Sequence, residues 1–386
     1  MILDKIFGKH VKWQNSYDYF NFIPYLKDEQ KATISPRLFN TFSGFRWPYT
    51  KKVYPLDADG LPIPPESIRL WVNHVKNTLC MAGQSKINLG HMILQWYAHI
   101  FQCPTIKPWA LVFKSEEGIG KGLWQTFFEQ VLTKALSTVF SSWEQICGSF
   151  NGQMAGRLLF TLNEATNFPT NTQKELMKTM IKDTALSVNK KFVNQYDVDN
   201  YARIQITTNN KRPVAIDHDD RRYCCVEADN SVRGNAEYFK PLIDTRDNPR
   251  VQKDMFDFLT NYPLEGFNSE APPMTKWKQD LIGQNLGSEM EFMKAVCAGE
   301  VMGCEFEEET LKIKSGMLYD RYKQWATDNG EHKVGSDRAF NAELKKNGII
   351  KKTIKIGGAS SMGFKLDKAE INTMLAKLLG NPELEL

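Results

Sequence analysis

Short apolar runs alternate with helix-patterned segments between Trp109 and Glu227, and nothing else in the chain restricts its fold as much. The stretches "WALVFK", "GRLLFTLNEA" and "YARIQITTNN" read as buried strands. Between them, "LWQTFFEQVLTKAL" and "TQKELMKTMIK" place apolar residues at helical spacing. Strands that alternate with helices indicate an α/β domain with a largely parallel sheet.

The rest of the chain frames that domain. Residues 1–67, rich in aromatics and prolines, read as an irregular lead-in. Residues 68–109 read as a helical, collar-like segment, with Ile68, Trp71, Val72 and Val75 on one helix face and Ile93, Trp96, Tyr97 and Ile100 on another. The α/β core then occupies 110–265, and "GFNSEAPPMTKWKQDLIGQNLG" within 266–287 has the Pro, Gly and polar mixture of a linker. Residues 288–386 form a separate, more basic unit. There, helices over Glu289–Ala298, Lys314–Asp328 and Ser336–Asn347 precede "IIKKTIKIGGASSMGFKL", a hairpin that turns at Gly357-Gly358, so a winged-helix-like domain is expected. Trp325 and Phe340 read as core residues of that unit.

Composition sets limits on partners and compartment. At 386 residues with 42% hydrophobic content, the chain suits two or three globular domains. A net charge of +4 and a pI near 8.5 are mildly basic, so nucleic-acid affinity must reside in local patches. Lys333, Arg338, Lys345, Lys346, Lys351, Lys352 and Lys355 supply one such patch, equally readable as a solvated face. Seven cysteines form no CxxC pair, which fits a reducing cytoplasm, and the six histidines show no zinc-ligand spacing. The opening residues lack a signal-peptide core, and no apolar window reaches the ~18–20 residues of a membrane span, so a cytoplasmic protein without a membrane partner is expected.

The chemistry centres on "VFKSEEGIGKGLWQTFF". Phosphate-cradling loops read G-x-x-x-x-G-K-[ST] between a strand and a helix, where backbone N–H groups and the helix dipole face an anion. Gly118, Ile119, Gly120, Lys121 and Gly122 fall in that frame, with Ser115 in place of the first glycine and Gly122 in place of the magnesium-binding hydroxyl. Read alone, the same glycines also fit an ordinary surface turn. Downstream, Asn163 and Glu164 end the "RLLFTL" strand, where a carboxylate would orient the attacking water and help hold magnesium; a solvated glutamate is the other reading. Asn209 and Asn210 end "IQITTNN", positioned to bond a γ-phosphate or water, or to form a turn before Pro213. Arg221 and Arg222 precede a further strand; they suit charge neutralisation on a phosphoryl group, or pairing with Asp219 and Asp220.

In this order the motifs resemble the superfamily 3 helicases of viruses, phages and plasmids, a branch of the AAA+ ATPases, and most of all the helicase part of phage and poxvirus-type primase-helicases. The resemblance covers about Ile68 to Glu227 and extends more loosely to the C-terminal unit. It implies an α/β AAA+ P-loop core and a winged-helix-like C-terminal domain. Gly118, Gly120 and Lys121 become Walker A, Glu164 the Walker B glutamate, Asn209 the polar sensor with Asn210 a second register, and Arg221 and Arg222 the arginine-finger segment. It also implies ATP and Mg2+ as cofactors, Asn163 and Glu164 as metal ligands, and a hairpin whose Lys190 and Lys191 contact single-stranded DNA. The expected protein is an ATP-dependent DNA helicase of a phage or mobile element in a bacterial host cytoplasm. It would assemble as a homo-oligomeric, hexamer-sized ring and rely on a separate primase or polymerase. Gly122 matches the "GKG" spelling of the phage subgroup, whereas Asn163 departs from the usual aspartate. Two rival readings are an ATP-gated origin-binding initiator and an AAA+ scaffold without turnover.

Overall fold

The structure is a computed structural model that describes residues 19–80, 88–149, 151–163, 170–189, 192, 194–210, 213, 214, 216, 220–284, 287–329 and 334–379. Two compact units emerge: Met1–Val214 with Arg221–Thr275, and Ala215–Asp220 with Lys276–Leu386.

In the larger unit, β1 (Tyr19–Asn21) and β2 (Leu38–Asn40) pair in parallel on either side of a short helix, α1 (Asp28–Ala32). Helix α2 (Glu66–Asn73) runs directly into a π-helical turn, His74–Thr78, and is followed by α3 (Leu89–Gln102). The core then proceeds through β3 (Ala110–Lys114), α4 (Lys121–Leu132), β4 (Ser137–Phe140), α5 (Trp143–Ile146), β5 (Leu159–Leu162) and α6 (Asn171–Lys182). An antiparallel hairpin of β6 (Ala185–Val188) and β7 (Tyr196–Asp199) precedes β8 (Arg203–Thr208) and β9 (Tyr223–Glu227). Helices α7 (Ala236–Arg246) and α8 (Pro249–Thr260) close the unit.

Five strands form one sheet in the order β4-β5-β8-β3-β9, and every neighbouring pair is parallel. The mixed α/β architecture with a parallel sheet therefore follows the strand and helix alternation in the sequence. All six residues of β8 are buried, as are the first four of β3: both sheet faces are covered, so β3 reads as a continuous apolar run, whereas β8 alternates Ile204 and Ile206 with buried Arg203, Gln205 and Thr207. In this order β3 lies between β8 and β9, with Lys114 opposite both Thr208 and Glu227. The carboxyl ends of β3, β8 and β5 thus share one edge.

Aromatic residues hold the helices against that sheet. The Trp71 ring of α2 stacks on Phe127 of α4, with centroids 3.9 Å apart and planes 8° from parallel. Tyr97 of α3 packs edge-on to Trp124 at 5.1 Å and lies 4.5 Å from Phe128. Its buried hydroxyl donates to Gln205 Oε1 at 2.7 Å, which links α3 to β8 without leaving a polar atom unpaired. Phe101 meets Phe256 of α8 edge-on at 5.2 Å. Such pairs favour edge and offset geometries and add to the large area each ring buries.

The smaller unit contains α9 (Lys276–Gln284), α10 (Ser288–Cys297), β10 (Thr310–Lys314), α11 (Ser315–Asp328), α12 (Asp337–Lys346), β11 (Lys352–Ile356), β12 (Ala359–Asp367) and α13 (Lys368–Leu378). Its sheet is antiparallel in the order β10-β12-β11. Gly357 and Gly358, at φ +58 and +83, give the hairpin the two left-handed residues that a type I′ turn requires. Phe340 is fully buried and stacks on Tyr322 at 4.5 Å, and Trp325 packs edge-on to Phe292. Strand β10 and helix α13 go beyond the helices and hairpin expected from the sequence. Lys314, expected to open a helix, closes β10 instead, because Leu311 and Ile313 alternate into the core. The span expected as linker holds α9, with Trp277, Leu281 and Ile282 buried. Lys278, also buried, donates to the Asp220 backbone carbonyl at 2.7 Å.

Truncating Trp71 removes a side chain only 1% exposed. Trp71→Ala is expected to destabilise the protein by about 3–5 kcal/mol, read as a lowered urea midpoint with the slope retained.

Candidate phosphate-binding site

The turn between β3 and α4 carries two left-handed glycines. Gly118 and Gly120 take φ of +80 and +89, a region disfavoured for residues with a Cβ. At Gly120 space enforces the same choice: a Cβ would stand 2.7 Å from the Phe239 ring and 2.8 Å from the His74 ring. Ile119, fully buried between them, anchors the turn. Gly122 differs, since nothing lies within 4 Å of a Cβ built there. A serine or threonine is therefore not sterically excluded from the position where a magnesium-binding hydroxyl is usual.

Lys121 opens α4, and its ammonium donates to the backbone carbonyls of Ser115 at 3.1 Å and Thr208 at 3.0 Å. It thereby ties the end of β3 to the end of β8. Asn163 follows β5 directly; its backbone N–H donates to Phe140, and its side-chain oxygen accepts from Thr207 Oγ1 at 2.9 Å. Asn209, one residue past β8, reaches Glu117 Oε1 at 3.4 Å, while the Asn210 backbone N–H donates to Thr208 Oγ1. The glycine turn, Lys121, Asn163 and Asn209 therefore lie along one edge of the sheet.

Other sequence candidates lie elsewhere. Arg222 is at the opposite edge, where its carbonyl accepts from Ala110 N–H at the start of β3. At ~3.3 Å per residue the five-residue strand β9, about 16 Å long, runs between the backbone of Arg222 and the sheet edge that carries the glycine turn. Glu164, Lys190, Lys191 and Lys333 lie outside the described residues. In the β6-β7 hairpin Phe192 is described; it is fully exposed at φ +65.

Magnesium is poorly served by the described donors. Asn163 offers one neutral oxygen already engaged by Thr207, and Gly122 offers no side-chain donor. Among the described residues no group of three His, Cys, Asp or Glu could hold a metal ion. Size alone does not select the site either: a cavity of about 540 Å³ lies among Tyr25, Phe45, Trp47 and Tyr49 and shares no lining residue with the glycine turn.

A buried network beneath the turn has no simple sequence signature. His74 Nε2 lies 3.3 Å from the Gly120 carbonyl and Nδ1 lies 3.0 Å from the Tyr238 hydroxyl, which also bonds Thr78 Oγ1 at 3.0 Å. With Nε2 protonated and donating to Gly120, Nδ1 accepts from Tyr238, and Thr78 donates in turn to that hydroxyl. The π-helical turn places His74 and Thr78 where they can do this; such turns recur at functional sites. Only the "HVKNT" histidine hints at the network in sequence, and a buried histidine is ordinarily just a core residue.

Residues 113–222, from β3 to the arginine pair, match the model of a family of unknown function, DUF5906. The chain is also related to the DNA primase-polymerase of Nitratiruptor phage NrS-1, with 26% identity over 259 residues. That match takes in 66% of this chain and 33% of the relative, so the chain spans about a third of the relative's length. Apo structures of the NrS-1 C-terminal region share the fold, with TM-scores of 0.61 to 0.63 at 16–17% identity, covering 94% of this chain and 88% of theirs. No helix among the described residues is long and apolar enough to cross a membrane.

Burial pushes His74 down to about 4, against the partial offset of its bond to Gly120. The unfolded chain, near 6.5 at this group, therefore binds more protons between pH 6.5 and 4, and folding stability must fall as pH falls through that window. His74→Gln is expected to remove up to about 3 kcal/mol of that acid-dependent loss, measured by denaturant unfolding at pH 7 and pH 4.5.

Proposed function

We propose that this chain is an ATP-dependent DNA motor for the replication of a phage or mobile element, working as a ring helicase. The observation that carries the reading is the Lys121 ammonium bridging the ends of β3 and β8 at 3.1 and 3.0 Å, on the edge where Asn163 and Asn209 also end. A glycine turn with left-handed φ at two positions, a twelve-residue helix leading out of it, and a lysine held across its mouth suit a polyphosphate. The strand order supports an AAA+ core, because β8 inserts Asn209 between the phosphate loop and the Asn163 strand end. Relationship to a phage primase-polymerase supports a role in DNA replication.

On this reading the loop N–H groups and Lys121 bind the β- and γ-phosphates, Asn209 orients the attacking water and Glu164 accepts its proton. Arg221 and Arg222 lie at the far sheet edge, so they serve a neighbouring copy's nucleotide, which makes the motor an oligomer. Lys190 and Lys191, beside exposed Phe192, contact single-stranded DNA through its phosphates. In the smaller unit, read as a winged helix, exposed Lys345, Lys346, Lys352 and Lys355 also favour contact with duplex DNA. An initiator that binds an origin without unwinding it is the second reading which these lysines support. A forked-duplex strand-displacement assay separates the two.

Phosphate release with and without single-stranded DNA is the direct test. Lys121→Ala is expected to reduce release to background, and wild-type release no higher than that background would end the motor reading. Mixing Lys121→Ala with the Arg221→Ala/Arg222→Ala double variant, each inactive alone, is expected to recover part of the activity, because some interfaces then combine an intact lysine with intact arginines. Asn163→Asp retains the acceptor for Thr207 and adds a charge where magnesium needs one. It is expected to increase turnover at low magnesium; unchanged turnover would place the metal elsewhere.

A further inference from the structure

The segment that follows β9 forms a wall along the phosphate loop. Asp229 N–H donates to the Thr78 carbonyl at 2.8 Å, which seats the segment on the π-helical turn. The Ser231 backbone and hydroxyl both donate to the Asp229 carboxylate, and Arg233 N–H closes a turn on the Asn230 carbonyl. Three contacts then join this wall to the loop. Glu116 N–H donates to Asn230 Oδ1 at 3.3 Å, Gly234 N–H faces the Gly118 carbonyl at 3.5 Å, and Arg233 Nη1 donates to Glu116 Oε2 at 3.3 Å. A Cβ built on Gly118 would lie 3.8 Å from Arg233 Cγ, so the arginine stem runs directly over the left-handed glycine.

Two groups able to bond a phosphate are therefore held by consecutive carboxylates of the same loop: Arg233 by Glu116 and Asn209 by Glu117. Both contacts are long, and the Arg233–Glu116 pair is more than half exposed on each side. An exposed ion pair of this kind contributes ~1 kcal/mol or less. A polyphosphate carries several negative charges and accepts a guanidinium's forked donors better than a single carboxylate oxygen does.

We propose that Arg233 is a phosphate-contacting residue supplied by the same chain as Lys121, and that Glu116 is its placeholder, exchanged for the polyphosphate of an incoming nucleotide. This deepens the nucleotide-driven reading of the loop and rests on it. Arg233 differs from Arg221 and Arg222 in acting within its own subunit, so its loss is not complemented by a neighbouring copy.

Equilibrium binding of a fluorescent ATP analogue to the full chain tests this, with Lys121→Ala as the reference for loss of the loop. Arg233→Ala is expected to weaken binding about tenfold, as loss of a charge-assisted hydrogen bond does, with an unchanged melting temperature because the side chain is exposed. Glu116→Gln is expected to tighten binding about twofold to fivefold, the worth of an exposed pair, and to lose that effect once Arg233 is alanine. Wild-type binding with Arg233→Ala, or tightening by Glu116→Gln that persists without Arg233, overturns the proposal while leaving the nucleotide reading intact. Wild-type protein that binds no better than Lys121→Ala overturns both.

Discussion

The seating of the helix that leaves the phosphate loop governs the rest of the larger unit. Trp71 stacked on Phe127 and Tyr97 wedged between Trp124 and β8 fix its position against the sheet. Its first residue, Lys121, can then span two strand ends. An anion-binding turn works only if its N–H groups stay pointed at the ligand when the ligand is absent. The aromatic layer supplies that rigidity, and the His74–Tyr238–Thr78 network supplies it a second time, from beneath Gly120. The helices before β3 thus help to hold the glycine turn, although none of their residues belongs to its motif.

Much of this was legible in the sequence, and the pattern of successes has a physical cause. Doubly covered strands such as β3 announce themselves as unbroken apolar runs, and the glycines at 118 and 120 announce a turn that side chains cannot make. Both signals are local. The His74 network and the Arg233 wall are assembled from residues 46 to 164 positions apart in sequence, joined only when α7 folds back on the loop. No periodicity or motif encodes such an encounter. In the smaller unit, the hairpin was readable from Gly357-Gly358, but β10 was masked by the helix that starts immediately after it, with no loop between strand and helix.

The two edges of the parallel sheet divide the proposed labour. At the carboxyl edge lie the groups that would grip and orient a nucleotide; at the amino edge lie Arg221 and Arg222. A strand's length separates the backbone of the two groups. The departures at Gly122 and Asn163 fall wholly on the carboxyl edge. Neither is forced by packing, since Gly122 has room for a side chain and Asn163 needs only an acceptor for Thr207.

The chain passes between its two compact units three times rather than once, because Ala215–Asp220 groups with the C-terminal residues. The smaller unit is therefore not contiguous in sequence, and a cut after Thr275 divides it. Such a cut would leave six residues of the smaller unit behind, with the Asp220 carbonyl deprived of the buried Lys278 ammonium. That loss falls one peptide bond from Arg221.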